Sequence, residues 1–464
     1  MKRSTFLALA SASFVALAAC GGGDGAQPVT PGLRPDGRVG SPPSASDPPP
    51  VIDGAVTQQM VGGLMVLVKR VPGAELAAIQ LSISGGARNW GKADAGIERL
   101  ALATAVSGGT RRLDRDAFAR RLAALGSEMG EASNEDYASL DAKSLTSNFD
   151  ETFGLLTDAF LLPVLPPTEL EVHRQDLLAH LRHEQESPDE RLAMKARLAV
   201  FKNHPYENRP EGTHESLAAV TPAAVAAHLA RLRESSRLLL VVVGDVDPAH
   251  VAVLAREKLG ALPRGSFASE PVPQIAFARP ALEVEDAKLP TSYVLGHYPS
   301  ATPRDPDFYA AMVANKVLEF RIFEEVRVKR NLSYAPRASL AWNTGVPLGR
   351  LYVTAVDPDA TMRVMLDEVK KLKTTPVNGK DLEGAKATYL TEHLVSSETT
   401  DGQAAWLTRA QLLTGDFRFE SRLLGKVQAV SAAEVQAYAN ARMKNLQVEV
   451  IGPKKVDAKL FGSL

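Results

Sequence analysis

A single cysteine stands among 464 residues, so no disulfide framework and no thiolate metal site can form within the chain. Charge of one sign is also missing: 53 basic residues face 54 acidic ones, a net charge of -1. That balance offers no bulk field to nucleic acid or anionic lipid, and nucleic acid is excluded from the expected partners. The apolar run at residues 6–19 is too short to cross a bilayer. It follows Met1-Lys2-Arg3 and ends in Leu17-Ala18-Ala19-Cys20. This order reads as a lipoprotein signal peptide, residues 1–19, cut before Cys20, which then bears the lipid. A chance Leu-Ala-Ala-Cys inside an ordinary cleavable signal is the alternative. Gly21 follows, where Asp would favour the inner membrane. The expected location is therefore the periplasm, with a lipid anchor in the outer membrane as the only membrane contact. Residues 20–52 are rich in Gly, Pro and Ser and read as a flexible tether.

Beyond the tether the periodicity alternates between strand and helix. Apolar runs at 64–69 and 76–84 read as paired strands, and helical patterns follow at 95–106 and 114–125. A strand at 137–145 precedes helices at 168–186, 189–201 and 221–232, and a strand at 238–243 closes the half. The layout is α+β.

The second half repeats that ending. Ala219-Val220-Thr221-Pro222-Ala223-Ala224-Val225 leads through a helix to Leu238-Leu239-Leu240-Val241-Val242-Val243-Gly244. Ala429-Val430-Ser431-Ala432-Ala433-Glu434-Val435 leads likewise to Gln447-Val448-Glu449-Val450-Ile451-Gly452. Thr221 and Ser431 sit where an N-cap hydroxyl belongs, and Glu434 completes a capping box. Such a repeat implies duplication. We expect two homologous domains, 53–265 and 281–464, each an antiparallel-rich sheet packed with helices and together forming half of a clamshell. The linker, 266–280, lies in a Pro- and Ser-bearing stretch that would permit a hinge.

Several local patterns carry a resemblance in their order and spacing. They are Ser84-Gly85-Gly86-Ala87-Arg88, Gly96-Ile97 opening a helix that ends at Gly108-Gly109-Thr110, His204-Pro205-Tyr206 with Glu211-Gly212-Thr213, and Arg327-Val328-Lys329-Arg330-Asn331-Leu332-Ser333-Tyr334. With the duplication, the chain resembles the pitrilysin/insulinase-type zinc metallopeptidases, including the organellar processing peptidases, over nearly all its length past the tether.

The resemblance implies His-x-x-Glu-His on the helix after Gly96, two imidazoles on one helical face binding zinc and a Glu activating the metal-bound water. Here Arg99 and Ala103 replace the two His and Leu102 replaces the Glu. Sliding the register by one puts Leu100, Ala103 and Thr104 in those places, and neither register restores a ligand. At the family's third ligand and its supporting Glu stand His180 and His173. With His183 they form the one candidate for a replacement metal site, the bland reading being a solvated helix face. The degenerate positions are therefore Arg99, Leu102, Ala103 and His180, and no cofactor is expected in this chain.

The resemblance also implies an Arg and, seven positions on, a Tyr in the second domain, the Arg gripping peptide and the Tyr hydroxyl meeting the scissile carbonyl as it becomes an oxyanion. Arg327 and Tyr334 carry that spacing. Arg327 is expected in the last turn of a helix from Ala310, Asn331 in a left-handed conformation, and Tyr334 at the start of a strand. The structural alternative is that Arg327, Lys329 and Arg330 complement the helix dipole while Tyr334 packs in an amphipathic strand. Relatives that split the site between two homologous chains imply a role. This chain would be a zinc-lacking subunit that binds extended peptide at a sheet edge and supplies Arg327 and Tyr334 to a partner, the zinc residing in that partner. An inert peptide-binding or scaffold lipoprotein and a metallopeptidase with a His site are the alternatives.

Overall fold

The computed structural model describes residues 47–454 and 456–463, all within the unit Pro42–Leu464. The signal sequence, Cys20 and most of the tether lie outside the described residues.

The first half contains β1 (Val51–Asp53), β2 (Val56–Val61), β3 (Leu64–Arg70), β4 (Leu76–Ser84), β5 (Glu128–Ser133), β6 (Tyr137–Leu145) and β7 (Leu238–Gly244). Its helices are α1 (Ile97–Ser107), α2 (Arg115–Leu125), α3 (Phe149–Leu161), α4 (Pro167–Glu186), α5 (Pro188–Val200), α6 (His214–Ala219), α7 (Pro222–Leu232) and α8 (Pro248–Leu259). The strands form one sheet in the order β1-β2-β3-β7-β4-β6-β5. β1 begins inside the span read as tether.

The sheet order corrects one expectation. β3 and β4 are not paired with each other, because β7 lies between them, parallel to β3 and antiparallel to β4. β7 reads Leu-Leu-Leu-Val-Val-Val-Gly and is buried at every position, so it needs cover on both faces and a neighbour on both edges. The short link after Arg70 has only to step over one strand, roughly 10 Å between the flanking strands.

The second half contains β8 (Ala281–Asp286), β9 (Ser292–Pro299), β10 (Arg337–Ala341), β11 (Leu348–Ala355) and β12 (Gln447–Gly452). Its helices are α9 (Phe308–Ile322), α10 (Pro358–Thr374), α11 (Gly379–Ser396), α12 (Thr400–Thr414), α13 (Phe419–Ala429) and α14 (Ala432–Arg442). The sheet runs β10-β11-β9-β12-β8. β8 is parallel to β12 and every other pair is antiparallel, the pattern of β5-β6-β4-β7-β3 in the first half. The repeated cap is present in both copies. Thr221 accepts from the amide of Ala224, and Ser431 and Glu434 form a reciprocal capping box.

Each half also covers the other's sheet. α5 sets Leu192 and Ala196 against Leu295 of β9 and Ile451 of β12. In return α12 sets Ala404 and Leu407 against Ala78 of β4 and Leu239 and Val241 of β7. This exchange buries the second face of both sheets. The linker is docked rather than free. Val272, Ile275 and Phe277 pack on Val200, Phe201 and Tyr206, and the Gln274 amide donates to the Gly345 carbonyl at 2.9 Å. Among the described residues no helix is long and apolar enough to cross a membrane.

Candidate functional site

Leu100 and Leu102 of α1 are fully buried in the first half's core. Thr104 is buried as well, its hydroxyl donating to the Leu100 carbonyl at 2.6 Å. The opposite stripe, Arg99, Ala103 and Ser107, recurs at helical spacing. Arg99 Nε lies 3.6 Å from Glu131 Oε1 on the edge strand β5, and Ser107 Oγ lies 2.7 Å from His173 Nε2 on α4. A guanidinium and a methyl therefore stand on this face where two imidazoles would bind zinc, and the position of the activating carboxylate is a core leucine. These residues do not fit a zinc ion.

The histidines of α4 do not converge. His173 is half-buried against Ser107, and burial lowers its pKa. His180 is exposed, 3.7 Å from Glu184, and His183 is exposed. Among the described residues no three of His, Cys, Asp and Glu come together as a ligand group.

The glycine-bearing and aromatic motifs hold α1 and join the halves. Gly96 caps α1 at φ 84°, and a Cβ there would stand 2.8 Å from the Leu217 side chain and 3.0 Å from Gly212 Cα. Only glycine fits such an approach in that backbone region. Ser216 Oγ adds a bond to the Ala95 carbonyl at 2.8 Å. Arg88 of the first motif and Tyr206 of the third meet at Asp136. Arg88 pairs with it at 3.0 Å, both side chains buried, and the Tyr206 hydroxyl donates to it. The Gly345 amide, from the second half, donates to Asp136 at 2.8 Å and to the Tyr206 oxygen at 2.9 Å. Burial, then the Asp136 charge, pushes the Tyr206 hydroxyl pKa well up, so it remains a donor. A buried cluster around Glu98 of α1 carries no signal in the sequence. Glu98 is buried, accepting from Trp90 Nε1 at 3.0 Å and lying 3.7 Å from the buried His228.

In the second half α9 passes into a π-helical turn, Phe323–Val328, that carries Arg327. Asn331 is left-handed at φ 49°, and the Leu332 amide donates back to the Val326 carbonyl at 2.9 Å, one residue further back than the six-to-one bond of a Schellman ending, as the wider π turn requires. Tyr334 does not begin a strand. β10 starts at Arg337, and Tyr334 sits in the loop before it, 80% exposed. The guanidinium carbon of Arg327 lies 3.6 Å from the centre of the Tyr334 ring, with Phe323 5.6 Å away, and Arg327 also donates to the Tyr334 carbonyl. Lys329 and Arg330 instead bond Glu325, which holds that carboxyl down to about 2. The Tyr334 hydroxyl has no partner among the described residues. A π turn inside a helix is a costly irregularity that recurs at functional sites.

Comparison with known proteins decides the family. Residues 65–214 match the model of Insulinase (Peptidase family M16), and residues 219–389 match that of the Peptidase M16 inactive domain. The chain belongs to peptidase family M16. An uncharacterized zinc protease of Mycobacterium leprae is 22% identical over 86% of this chain and 92% of its own. A non-peptidase homolog of Helicobacter pylori is 21% identical over 66% of this chain and 73% of its own. The crystal structure of a peptidase M16 inactive domain from Pseudomonas fluorescens superposes with a TM-score of 0.78 at 19% identity, covering 86% of this chain and 98% of that one. Within M16, then, this chain keeps the fold and lacks the residues of the zinc motif.

Proposed function

We propose that this M16 chain is the zinc-lacking subunit of a two-chain peptidase, binding extended peptide and lending Arg327 and Tyr334 to the zinc site of a homologous partner. The observation that carries the proposal is the contrast between the two half-sites. α1 offers Arg99 and Ala103 where ligands would stand, while Arg327 and Tyr334 are preset against each other with an open hydroxyl. In this reading Arg327 holds the peptide and the Tyr334 hydroxyl donates to the carbonyl oxygen as charge develops on it. The partner would bring the metal and its water. Substrate would add as a strand to a sheet edge such as β5, and the lipid on Cys20 would keep the complex at the outer membrane facing the periplasm.

The test is peptide hydrolysis by the chain without residues 1–20, alone and mixed with a zinc-motif homologue from the same cell. Cleavage in the mixture that exceeds the homologue alone supports the reading. Zinc-dependent cleavage by this chain alone would overturn it.

A further inference from the structure

Where α5 crosses the second sheet lies an open-mouthed cavity of about 240 Å³ whose lining is dense in charge. Most of that charge is matched. Arg197 pairs with Glu135, and Arg209 pairs with Glu184 and lies 3.7 Å from Glu211. Two lining side chains make no hydrogen bond or ion pair among the described residues. They are the Arg350 guanidinium on β11 and the Glu190 carboxylate on α5. His297 of β9 stands opposite Arg350 in strand register and is 5% exposed, and its Nδ1 is buried without a partner. Burial, then the Arg350 charge, lowers the pKa of His297 to about 3. It is therefore neutral at physiological pH and adds no second positive charge beside Arg350, whose own pKa burial lowers against the opposing charge of Glu135.

A guanidinium without an ion pair of its own, lining a cavity, can take an anion, and its planar fork favours a carboxylate. A carboxylate lining the same cavity without an ion pair asks for an ammonium. We infer that this cavity binds a small zwitterion, a free α-amino acid or a dipeptide, with its carboxylate on Arg350 and its ammonium on Glu190. The volume, below the roughly 300 Å³ at which pockets for drug-sized ligands begin, suits a ligand that small. The inference uses neither Arg327 nor Tyr334 and stands or falls apart from the proposed peptidase role.

Calorimetric titration of the full chain tests it, with L-alanine, L-alanyl-L-alanine, the dipeptide amide and the N-acetyl dipeptide as probes. Alanine or the dipeptide should bind, the first singling out amino acids and the second dipeptides. Amidation or acetylation should weaken binding about tenfold or more, the worth of one charge-assisted contact. Arg350→Gln should abolish the preference for the free carboxylate and Glu190→Gln that for the free ammonium, with unchanged melting transitions. Should Arg350→Gln fail to fold, Arg350→Lys, which keeps the charge and loses the fork, should bind between the two. No binding of either zwitterion, equal binding of acid and amide, or an unchanged affinity in the Arg350 variant would each overturn the inference.

Discussion

Arg99 Nε reaches to 3.6 Å from Glu131 Oε1 and so ties α1 to the edge strand β5. The cation belongs to the side chain itself, where the family resemblance would place one of zinc's ligands. Glu131 is largely buried, and burial raises its pKa while Arg99 opposes the rise.

Arg99→Ala is therefore expected to cost about 1 kcal/mol, a modest figure because Arg99 is partly open to solvent. The folded pKa of Glu131 already lies above its unfolded value, so its ionisation penalises folding as pH rises. Removing Arg99 raises that folded pKa further. The loss should thus be larger near pH 8 than near pH 4, where the carboxyl is protonated in both states. Urea denaturation at the two pH values measures it.

Asp136 joins Arg88, Tyr206 and Gly345 and so links the two halves. Asp136→Ala would leave Arg88 buried without its charge partner, at a cost of about 3–5 kcal/mol. Loss of the Gly345 contact should also loosen the docked linker. Denaturation should show the destabilisation, and limited proteolysis should show faster cutting within residues 262–280.

Glu449 on β12 stands three positions before Gly452, as the buried Val241 stands before Gly244. It is 4% exposed and one of its carboxylate oxygens is unpartnered. Burial, then the charge of Glu283, pushes its pKa up to about 7. Between the unfolded value near 4.5 and about 7 the folded state holds more protons, so this group lowers stability as pH rises through that window. Glu449→Gln should stabilise the chain by up to roughly 3 kcal/mol near pH 8 and little near pH 4. Thermal melts across that range check the sign.

Much of this was legible in the sequence because it depends on short-range physics. The capped repeats at Thr221 and Ser431 and the periodicity of β4, β6, α4 and α5 act within a few residues. The missing zinc ligands could be read from residue identity alone. Pairing partners could not, since nothing near residue 70 announces that the distant β7 will insert beside β3. The ring of Tyr334 would suit the start of a strand, yet stacking under Arg327 holds it in the loop before β10. The linker looked like a hinge by composition, and its docking rests on Val272, Ile275 and Phe277 finding a surface built largely by the end of α5. The meeting of Arg88 and Tyr206 at Asp136, and the exchange of α5 for α12, also join segments far apart in the chain.

The most direct test of the proposed role is the turnover number of the assembled two-chain peptidase with Tyr334→Phe in this chain, measured beside the affinity of the two chains for each other. The account expects the complex to form unchanged while kcat falls about 10²–10³-fold, the loss seen when one oxyanion donor is removed. Unchanged kcat in a complex that still assembles would contradict it and leave this chain a scaffold.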